Sequence, residues 1–427
     1  MVEISLTGRN QKIQLLVPAL ILTTFGLVMI YSTGGSKYLV RQVLFLPVAA
    51  CGFLLGYFLP RRLIYGLSYL AYAAGVALLV AVLFLGHGPA RRWFDLGPVN
   101  FQPSELAKLG CVVALAHFMS DHRRVSLRLR DLWLPTLLCL LPMGLVLIEP
   151  DLGTSIVFLV ILAATLYWSG LDNLQLFLFF SPLLAAVASL TLVSWSLLLG
   201  VLVIFLFWSG QNRAAVLRSQ GLGILRSGDA VAGAARQADS RRRSVYVAIA
   251  ICLLIGLLTP ALVNRLHDYQ KARITSFLMP WLDPKGIGWN GIQSQIAVGS
   301  GRIFGKGLFA GTQKGLEFLP NRHTDFIFSC IAEETGLVGG LVVIGLFALL
   351  VFRMLRVATE AKDPFSSVLA AGLTANFAYS VIVNIAMVLG LAPITGIALP
   401  FLTYGGSPLV LNSISLGLIL NVSHRPA

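Results

Sequence analysis

The sequence predicts an all-α protein that crosses a membrane many times, and three observations carry that prediction. Of the 427 residues, 57% are hydrophobic and only 12% are charged, whereas soluble domains are about 25% charged. The mean hydropathy is +0.82. Apolar runs close to the ~20 residues that a helix needs to cross the hydrocarbon core recur along the chain. We therefore expect a polytopic helical bundle that forms a single integral membrane domain over residues 1–427.

Twelve apolar spans can be drawn along the chain. They are centred near residues 22, 50, 75, 111, 141, 161, 181, 202, 253, 340, 378 and 413. The first run, 13–31, lacks a small-residue cleavage site and is followed at once by further spans, so we interpret it as a retained helix and not as a signal peptide. The five cysteines lie in or beside such runs without paired spacing, which favours packing over disulfide or metal roles.

The distribution of Lys and Arg predicts which side of the membrane each loop faces. With the N-terminus inside, the cytoplasmic segments hold 19 of the 32 basic residues, including seven arginines in segment 211–243. Cytoplasmic loops are enriched in Lys and Arg, so we expect both termini to be cytoplasmic. Segment 211–243 is then an Arg-rich cytoplasmic loop close to anionic lipid headgroups.

One long polar segment, residues 264–325, falls on the opposite, extracytoplasmic side. It carries eight Lys/Arg against four Asp/Glu, and one of its acids is Asp283. An outward-facing basic surface favours an anionic ligand, while a solvated loop with incidental charge is the alternative. Asp283 lies among basic residues and is expected to be ionised, which suits a general base or a metal ligand.

Ionisable side chains at the ends of two spans have both structural and functional interpretations. Such groups are costly inside a membrane and by default mark function. Glu105 and Lys108 are three residues apart in a predicted helix and can pair, with or without a further role. Asp151 can cap the helix that follows it, and capping does not exclude a place in a site.

A third polar segment leads into the span centred near residue 340. Arg322 and His323 add positive charge there, and Thr324 or Asp325 can cap the helix. The helix N-terminus would favour an anion. A well-capped helix with ordinary acidic residues in its first turns is the alternative.

Two glycine-containing segments complete the set of candidate site elements. Gly405 and Gly406 allow close backbone approach before the last span, and Ser407 can cap that span. Residues 293–298 favour a short helix at the membrane surface. No phosphate-binding loop or dinucleotide fingerprint occurs in the sequence, so nucleotide chemistry is not indicated.

These pieces resemble the SEDS family, the RodA/FtsW polymerases of bacterial cell-wall synthesis, and look closer to RodA. The matching pieces follow the family order: Arg41-Gln42, Arg91-Arg-Trp93, Gln102-Pro-Ser-Glu105, Glu149-Pro-Asp-Leu-Gly-Thr154, His267-Asp-Tyr-Gln270 with Arg273, Asp283-Pro284, Gln293-Ser-Gln-Ile-Ala-Val-Gly-Ser300, Phe304-Gly-Lys-Gly307, Arg322-His-Thr-Asp-Phe-Ile-Phe328 and Tyr404-Gly-Gly-Ser407.

Two features depart from the family pattern. The family usually has ten spans, whereas residues 171–262 here supply two extra spans together with the Arg-rich loop. Adding two crossings keeps everything downstream on its expected side. The second departure is Glu149, where a Gln is more usual; a carboxylate beside Asp151 can raise one pKa by like-charge repulsion.

The resemblance implies an inverting peptidoglycan glycosyltransferase active in cell elongation and shape maintenance. Its substrate would be lipid II, a disaccharide-pentapeptide carried on undecaprenyl diphosphate, in the inner membrane of a bacterial cell. Segment 264–325 would be the catalytic loop and Asp283 the catalytic residue. The family-like positions that would line the substrate site are Arg41, Glu105, Lys108, Asp151, Arg273, Lys306, His323 and Asp325.

On this reading the 4-hydroxyl of one sugar attacks the anomeric carbon of another and expels the lipid diphosphate. Asp283 would take the hydroxyl proton, or would hold a divalent cation, Mg²⁺ or Mn²⁺. Arg273, Lys306 and Arg41 would stabilise the negative charge of the leaving group.

Other function classes and the expected partners follow from the same features. A lipid II flippase is the alternative, because broken helices and ions at a central cavity also suit transporters. A structural scaffold would not require the charged outer segment.

The resemblance implies a class B penicillin-binding protein, a single-span transpeptidase, as protein partner. We expect contact with membrane lipids and none with nucleic acid.

Overall fold

The computed structural model describes residues 2–86, 92–95, 100–122, 132–188, 246–247, 249–259, 287–312 and 322–424. The regular structure in these ranges is helical apart from one small antiparallel ribbon. The helices up to the ribbon are α1 (Val2–Gly34), α2 (Ser36–Phe58), α3 (Arg61–Gly66) and α4 (Ser68–Leu85). The ribbon pairs β1 (Phe94–Asp95) with β2 (Asn100–Phe101).

The helices after the ribbon are α5 (Pro103–His122), α6 (Trp133–Ile148), α7 (Leu152–Trp168), α8 (Asn173–Ala188), α9 (Ile249–Thr259), α10 (Ile287–Ser300), α11 (Ile327–Glu360), α12 (Pro364–Val388) and α13 (Gly406–His424). The expected short helix over 293–298 is therefore confirmed as part of α10.

The prediction of a polytopic helical membrane protein is confirmed. Among the described residues, six helices are long and apolar enough to cross a membrane: α1 from Lys12 onward, α2, α4, α11, α12 and α13. Helices α6, α7 and α9 are shorter and also apolar. Every predicted span centre falls in a described helix except the one near residue 202, which lies outside the described residues, as does the Arg-rich loop 211–243.

The described helices belong to two compact units. The larger comprises Met1–Leu127, Leu132–Ser169 and Ala272–Ala427. The smaller comprises Arg128–Asp131 and Gly170–Lys271, and in it the Cys252 thiol of α9 lies 3.4 Å from the Ser181 hydroxyl of α8. The predicted single domain and its loop boundaries stay predictions.

The interior of the larger unit is built around α5 and α12, whose side chains are buried over most of their length. Helix α5 packs against α4 and α12, and α12 also packs against α7 and α11. Small residues allow this close packing: a Cβ atom added to Gly75 of α4 would lie 2.9 Å from the Ala107 Cα of α5. Such small-residue contacts are typical of helices that associate in membranes.

Glycines also join α2 and α13, which pack against each other along their length. A Cβ atom on Gly56 would lie 2.5 Å from Ile414 O, and one on Gly417 would lie 2.2 Å from Phe53 O. The two backbones are therefore in direct contact along this seam, and side chains larger than hydrogen do not fit at these positions.

Helix α11 is broken at Gly336, which has φ 70° and ψ −167°. Residues 301–312 fill the break, because Leu337 N donates to Arg302 O at 2.9 Å and Val338 N donates to Ile303 O at 3.1 Å. A Cβ atom on Gly336 would lie 2.3 Å from Gly305 N. Glycine is thus required here both for its positive φ and for the close approach of the segment 301–312.

Candidate active site

A polar cavity of about 520 Å³ lies in the larger unit. Its walls come from the ribbon and the start of α5, from α7 and α10, from the residues before α11, and from the connection between α12 and α13. The polar and charged side chains that line it include Arg92, Gln102, Glu105, Lys108, Asn290 and Asp325.

The start of α5 contributes an ion pair to the cavity. Pro103 occupies the first position of the helix, where its missing N–H costs nothing. One turn further, Lys108 Nζ lies 2.7 Å from Glu105 Oε1, which confirms the expected pairing. The Lys108 side chain is only 5% exposed, so its charge depends on this carboxylate for compensation.

Asp151 combines the two roles that the sequence left open for it. Its side chain caps α7 by accepting hydrogen bonds from Thr154 N at 3.1 Å and Thr154 Oγ1 at 3.0 Å. It also lies 3.3 Å from Arg92 Nη1, and Arg92 lines the cavity. Asp151 therefore does not line the cavity itself but orients Arg92, which does.

Glu149, in the connection between α6 and α7, is buried beside this pair. Within the described part of the chain, neither of its carboxylate oxygens has a hydrogen-bond partner. Burial raises the pKa of the Glu149 carboxyl to about 8; the negative charge of Asp151 adds to the rise and Arg92 opposes it. The like-charge effect expected from the sequence is therefore present, but burial is the larger cause.

The residues before α11 form another wall, in which Asp325 lines the cavity. Asn384 of α12 holds this wall, since its Nδ2 donates to Asp325 O at 3.0 Å and to Ile397 O at 2.8 Å. The expectation that Thr324 or Asp325 caps α11 is wrong. The residue at the N-cap position is Phe326, and no side-chain hydrogen bond caps the helix.

His323 supports the cavity from outside its wall. Its ring centroid lies 4.1 Å from that of Tyr38, and its carbonyl accepts a hydrogen bond of 2.9 Å from the N–H of Tyr404, a wall residue. Burial and the positive charge of Arg322 lower the pKa of the His323 imidazole. The ring is therefore neutral near pH 7 and adds no charge to the site.

The amphipathic helix α10 brings Asn290 to the cavity. Ser294 fixes α10 in place, because its hydroxyl donates to Val388 O at 2.9 Å and lies 2.8 Å from Ser329 Oγ.

The prediction that Ser407 caps α13 is wrong. Ser407 lies in the first turn of α13, and its hydroxyl donates to Asn100 O at 2.9 Å.

Two cations assigned to the site from the sequence do not line this cavity. Lys306 is 2.7 Å from the buried Glu333 carboxylate, and Arg41 is exposed on α2. Neither is among the residues that line the cavity. Asp283 and Arg273 lie outside the described residues, so their assigned roles stay predictions.

The chain matches a known protein family over nearly all of its length. It matches the FTSW_RODA_SPOVE family, described as "Cell cycle protein", over residues 13–233 and 240–427. The chain belongs to this family. The resemblance to the SEDS proteins is thereby confirmed.

Named relatives of this FTSW_RODA_SPOVE protein cover most of its length. It is 34% identical to a probable peptidoglycan glycosyltransferase FtsW of Trichlorobacter lovleyi, covering 96% of this chain and 92% of the relative. It is 35% identical to the peptidoglycan glycosyltransferase MrdB of Escherichia coli K12, covering 86% and 80%. It is 32% identical to the peptidoglycan glycosyltransferase RodA of Treponema pallidum, covering 96% and 97%.

Solved structures share the fold. One chain, from a study of the structural coordination of polymerization and crosslinking by a peptidoglycan synthase complex, matches with a TM-score of 0.67 at 28% identity. RodA of Thermus thermophilus matches with a TM-score of 0.59 at 26% identity. Each match covers 96% of this chain and 96% of the solved chain.

Several residues of this family member support the cavity although no role was predicted for them. Gln42, next to Arg41, is buried, and its Oε1 accepts from Gly405 N at 3.1 Å. Gln42 and Arg92 both lie in segments that carry the family resemblance, which was the available signal. Asn384 had only the weaker signal of a polar residue inside an apolar span.

Proposed function

We propose that this protein is a peptidoglycan glycosyltransferase that polymerises lipid II at the extracytoplasmic face of the bacterial inner membrane. The observation that carries the proposal is a polar cavity with two ion pairs at its edge, inside a bundle that otherwise packs apolar helices. Membership of a family whose named relatives are peptidoglycan glycosyltransferases supplies the reaction.

The reaction joins two sugars and releases a lipid diphosphate. The 4-hydroxyl oxygen of the acceptor bonds to the anomeric carbon of the donor as the bond to the diphosphate oxygen breaks. The hydroxyl proton passes to a carboxylate, which we assign to Asp283 on the family resemblance. An α-linked donor and a β-linked product require one inversion, and hence a single displacement without a sugar–enzyme bond.

The cavity favours Arg92 as the cation that meets the diphosphate. The Arg92 side chain is 22% exposed, against 5% for Lys108, and its planar guanidinium suits two-point binding of phosphate oxygens. Asp151 would hold that guanidinium in position, while Lys108 would mainly balance Glu105. Arg41 and Lys306, which do not line the cavity, and Arg273 stay further candidates for this role from the sequence.

The remaining polar wall suits the sugar part of the substrate. Glu105 and Asp325 would accept hydrogen bonds from sugar hydroxyls, and Asn290 would donate and accept. Charges of both signs keep the cavity from being a general anion site, since Arg92 and Lys108 line it together with Glu105 and Asp325. A carbohydrate attached to a diphosphate matches such a mixed surface.

The divalent cation stays a proposal from the sequence. Within the described residues, no group of three or more His, Cys, Asp or Glu could hold a metal ion. We assign Asp283 and the diphosphate of the substrate as ligands that a Mg²⁺ or Mn²⁺ ion would use. It would supply charge neutralisation to the leaving group.

The protein partner would be a class B penicillin-binding protein that packs against the membrane helices. A solved chain of similar fold comes from a peptidoglycan synthase complex, which supports an assembly of this kind. We assign the activity to cell elongation and shape maintenance, with both termini in the cytoplasm.

The decisive experiment uses purified protein and purified lipid II, with glycan length read on a gel. It is run with and without the transpeptidase, and with and without EDTA. A parallel vesicle assay measures lipid II translocation. The variant Arg92→Gln is compared with Arg356→Gln, whose parent residue pairs with Glu360 on the exposed end of α11.

The proposal is supported if Arg92→Gln weakens polymer formation and Arg356→Gln leaves it intact. Translocation of lipid II in vesicles without polymer, under every partner and metal condition, would overturn it in favour of a flippase. Polymer formation that resists EDTA would remove the cation from the proposal while leaving the enzyme assignment in place.

A further inference from the structure

The segment that fills the break in α11, residues 301–312, exposes large apolar side chains. Phe304 is 82% exposed and Ile303 57%, and Leu308 and Phe309 are each half exposed. A soluble protein rarely displays such a cluster without a partner surface. The surface that this apolar cluster contacts therefore depends on the position of the cluster relative to the membrane.

The break in α11 places the segment at the edge of the hydrocarbon layer. At 1.5 Å per residue, residues 337–360 span about 36 Å, slightly more than the ~30 Å hydrocarbon core. Arg353 and Arg356 lie roughly 24–29 Å along this helix from Leu337, at the depth of the opposite boundary. Leu337 is thus near one boundary, and the hydrogen bonds from Leu337 and Val338 hold the segment 301–312 at that depth.

The apolar cluster continues the lipid-facing surface of neighbouring helices. Below the break, α11 exposes Leu337, Val338, Leu341 and Val342. On the other side, the Phe309 ring packs edge-on against Tyr31 of α1 with centroids 5.9 Å apart, and Tyr31 is itself exposed. The cluster is therefore continuous with the exposed apolar surfaces of α1 and α11.

The segment is fixed to the protein at both the backbone and the side-chain level. Lys306 N and Gly307 N donate to the carbonyls of Glu333 and Glu334, each at 3.0 Å. The Glu334 carboxylate accepts from Phe309 N at 3.0 Å and from the hydroxyl of Ser32 in α1. The apolar side chains are consequently held outward by a rigid base.

We propose that residues 301–312 form an interfacial lipid anchor, in which Ile303, Phe304, Leu308 and Phe309 insert among the lipids at the boundary where Leu337 begins its span. Aromatic side chains are favoured at this depth. The exposed Arg302 then lies where it can meet lipid phosphates. The anchor sets the depth of the segment 301–312 at this boundary of the membrane.

The test is site-specific fluorescence of an environment-sensitive label in lipid nanodiscs. The exposed Cys51 is first replaced by Ser; the other cysteines, Cys111, Cys139, Cys252 and Cys330, are buried. The label is attached in Phe304→Cys, and in a second variant, Leu308→Cys. Leu341→Cys provides the lipid control, and Lys362→Cys, in the exposed connection between α11 and α12, provides the aqueous control.

If the segment inserts into the lipid, the label at position 304 should show blue-shifted emission. Nitroxide-bearing lipids should quench this emission strongly and aqueous iodide should quench it weakly, as for the label at position 341. Emission and iodide quenching like those at 362 would overturn the anchor, because the segment would then face water. Protection from both quenchers would also overturn it, since the cluster would be covered by protein. The readout does not use lipid II, so it is independent of the proposed enzyme activity.

Discussion

Lys306 Nζ lies 2.7 Å from Glu333 Oε1, and the same oxygen accepts the N–H and the hydroxyl of Thr312, each at 2.8 Å. The Glu333 side chain is buried. The lysine that the sequence assigns to the substrate is therefore engaged in holding the segment 301–312 against the break in α11. This contact gives Lys306 a structural role beside the one predicted for it.

Replacing Lys306 by Gln is expected to destabilise the protein, because the Glu333 carboxylate stays buried but loses the positive charge that pairs with it. Hydrogen bonds to charged groups contribute about 1.5–3 kcal/mol each. Thermal unfolding in detergent measures the effect. The double variant Lys306→Met with Glu333→Gln should lose less stability than Lys306→Gln alone. Unchanged unfolding of Lys306→Gln together with lost lipid II affinity would restore the direct substrate role.

The carboxyl of Glu149 is expected to make stability depend on pH. Its pKa is raised from 4.5 to about 8 by burial first and by Asp151 second. The folded protein thus keeps a proton that the unfolded chain has released between these values. Stability should fall as pH rises through this window, by up to ~1.4 kcal/mol per pH unit, and level off above pH 8.

Glu149→Gln cannot titrate and should abolish that slope. Unfolding temperatures measured from pH 5 to pH 9 for both proteins provide the comparison. The stability of Glu149→Gln should increase relative to that of the parent protein as pH rises. Parallel curves would show that Glu149 is ionised throughout and has found compensation elsewhere.

The two functions of Asp151 can be separated by two substitutions. Asp151→Asn keeps an acceptor for Thr154 N but removes the charge that faces Arg92. Asp151→Ala removes both, and should cost a further ~1 kcal/mol of stability through the lost cap. Both variants should lower polymerisation, since Arg92 loses its orienting carboxylate. Full activity in Asp151→Asn would show that the ion pair is not needed to position Arg92.

Gly336→Ala is expected to be strongly destabilising. The backbone there has φ 70°, and the new Cβ would lie 2.3 Å from Gly305 N and 2.4 Å from Ile303 O. Gly345→Ala in the same helix is the matched control, because a Cβ there meets nothing within 4 Å. That control should be neutral or slightly stabilising in a helix. Equal unfolding temperatures for the two variants would mean that the break at Gly336 is not maintained.

Asp283→Ala is expected to lower lipid II polymerisation by at least ~10²-fold, the usual contribution of a general base. Folding should be unaffected in unfolding assays. Glu317→Ala serves as control, as it removes another acid from the same segment 264–325. Retained polymerisation by purified Asp283→Ala would remove this residue from the mechanism.

The parts of the site that follow from local sequence could be predicted, and those that depend on distant contacts could not. The pair Glu105–Lys108 spans one helical turn, and the cap at Asp151 reaches three residues ahead. Both are fixed once the helices form. The span positions followed equally from apolar runs, because a membrane leaves helices as the practical way to satisfy the backbone.

Distant partners explain what was missed. Arg92 meets Asp151 and Lys306 meets Glu333 only because segments far apart in the sequence come together in the fold. Ser407 looked like a cap, but its hydroxyl turns to Asn100, which lies 307 positions earlier in the chain. A short polar motif shows that a group is available for bonding and does not reveal which distant partner uses it.

The glycine seam between α2 and α13 determines where lipid can enter between these two helices. Where Gly56 and Gly417 bring two backbones into contact, no hydrocarbon chain can slip between the helices. Parting them would expose peptide groups to lipid, which is costly. This part of the surface of the larger unit is therefore closed to lipid, because its two helices meet backbone to backbone.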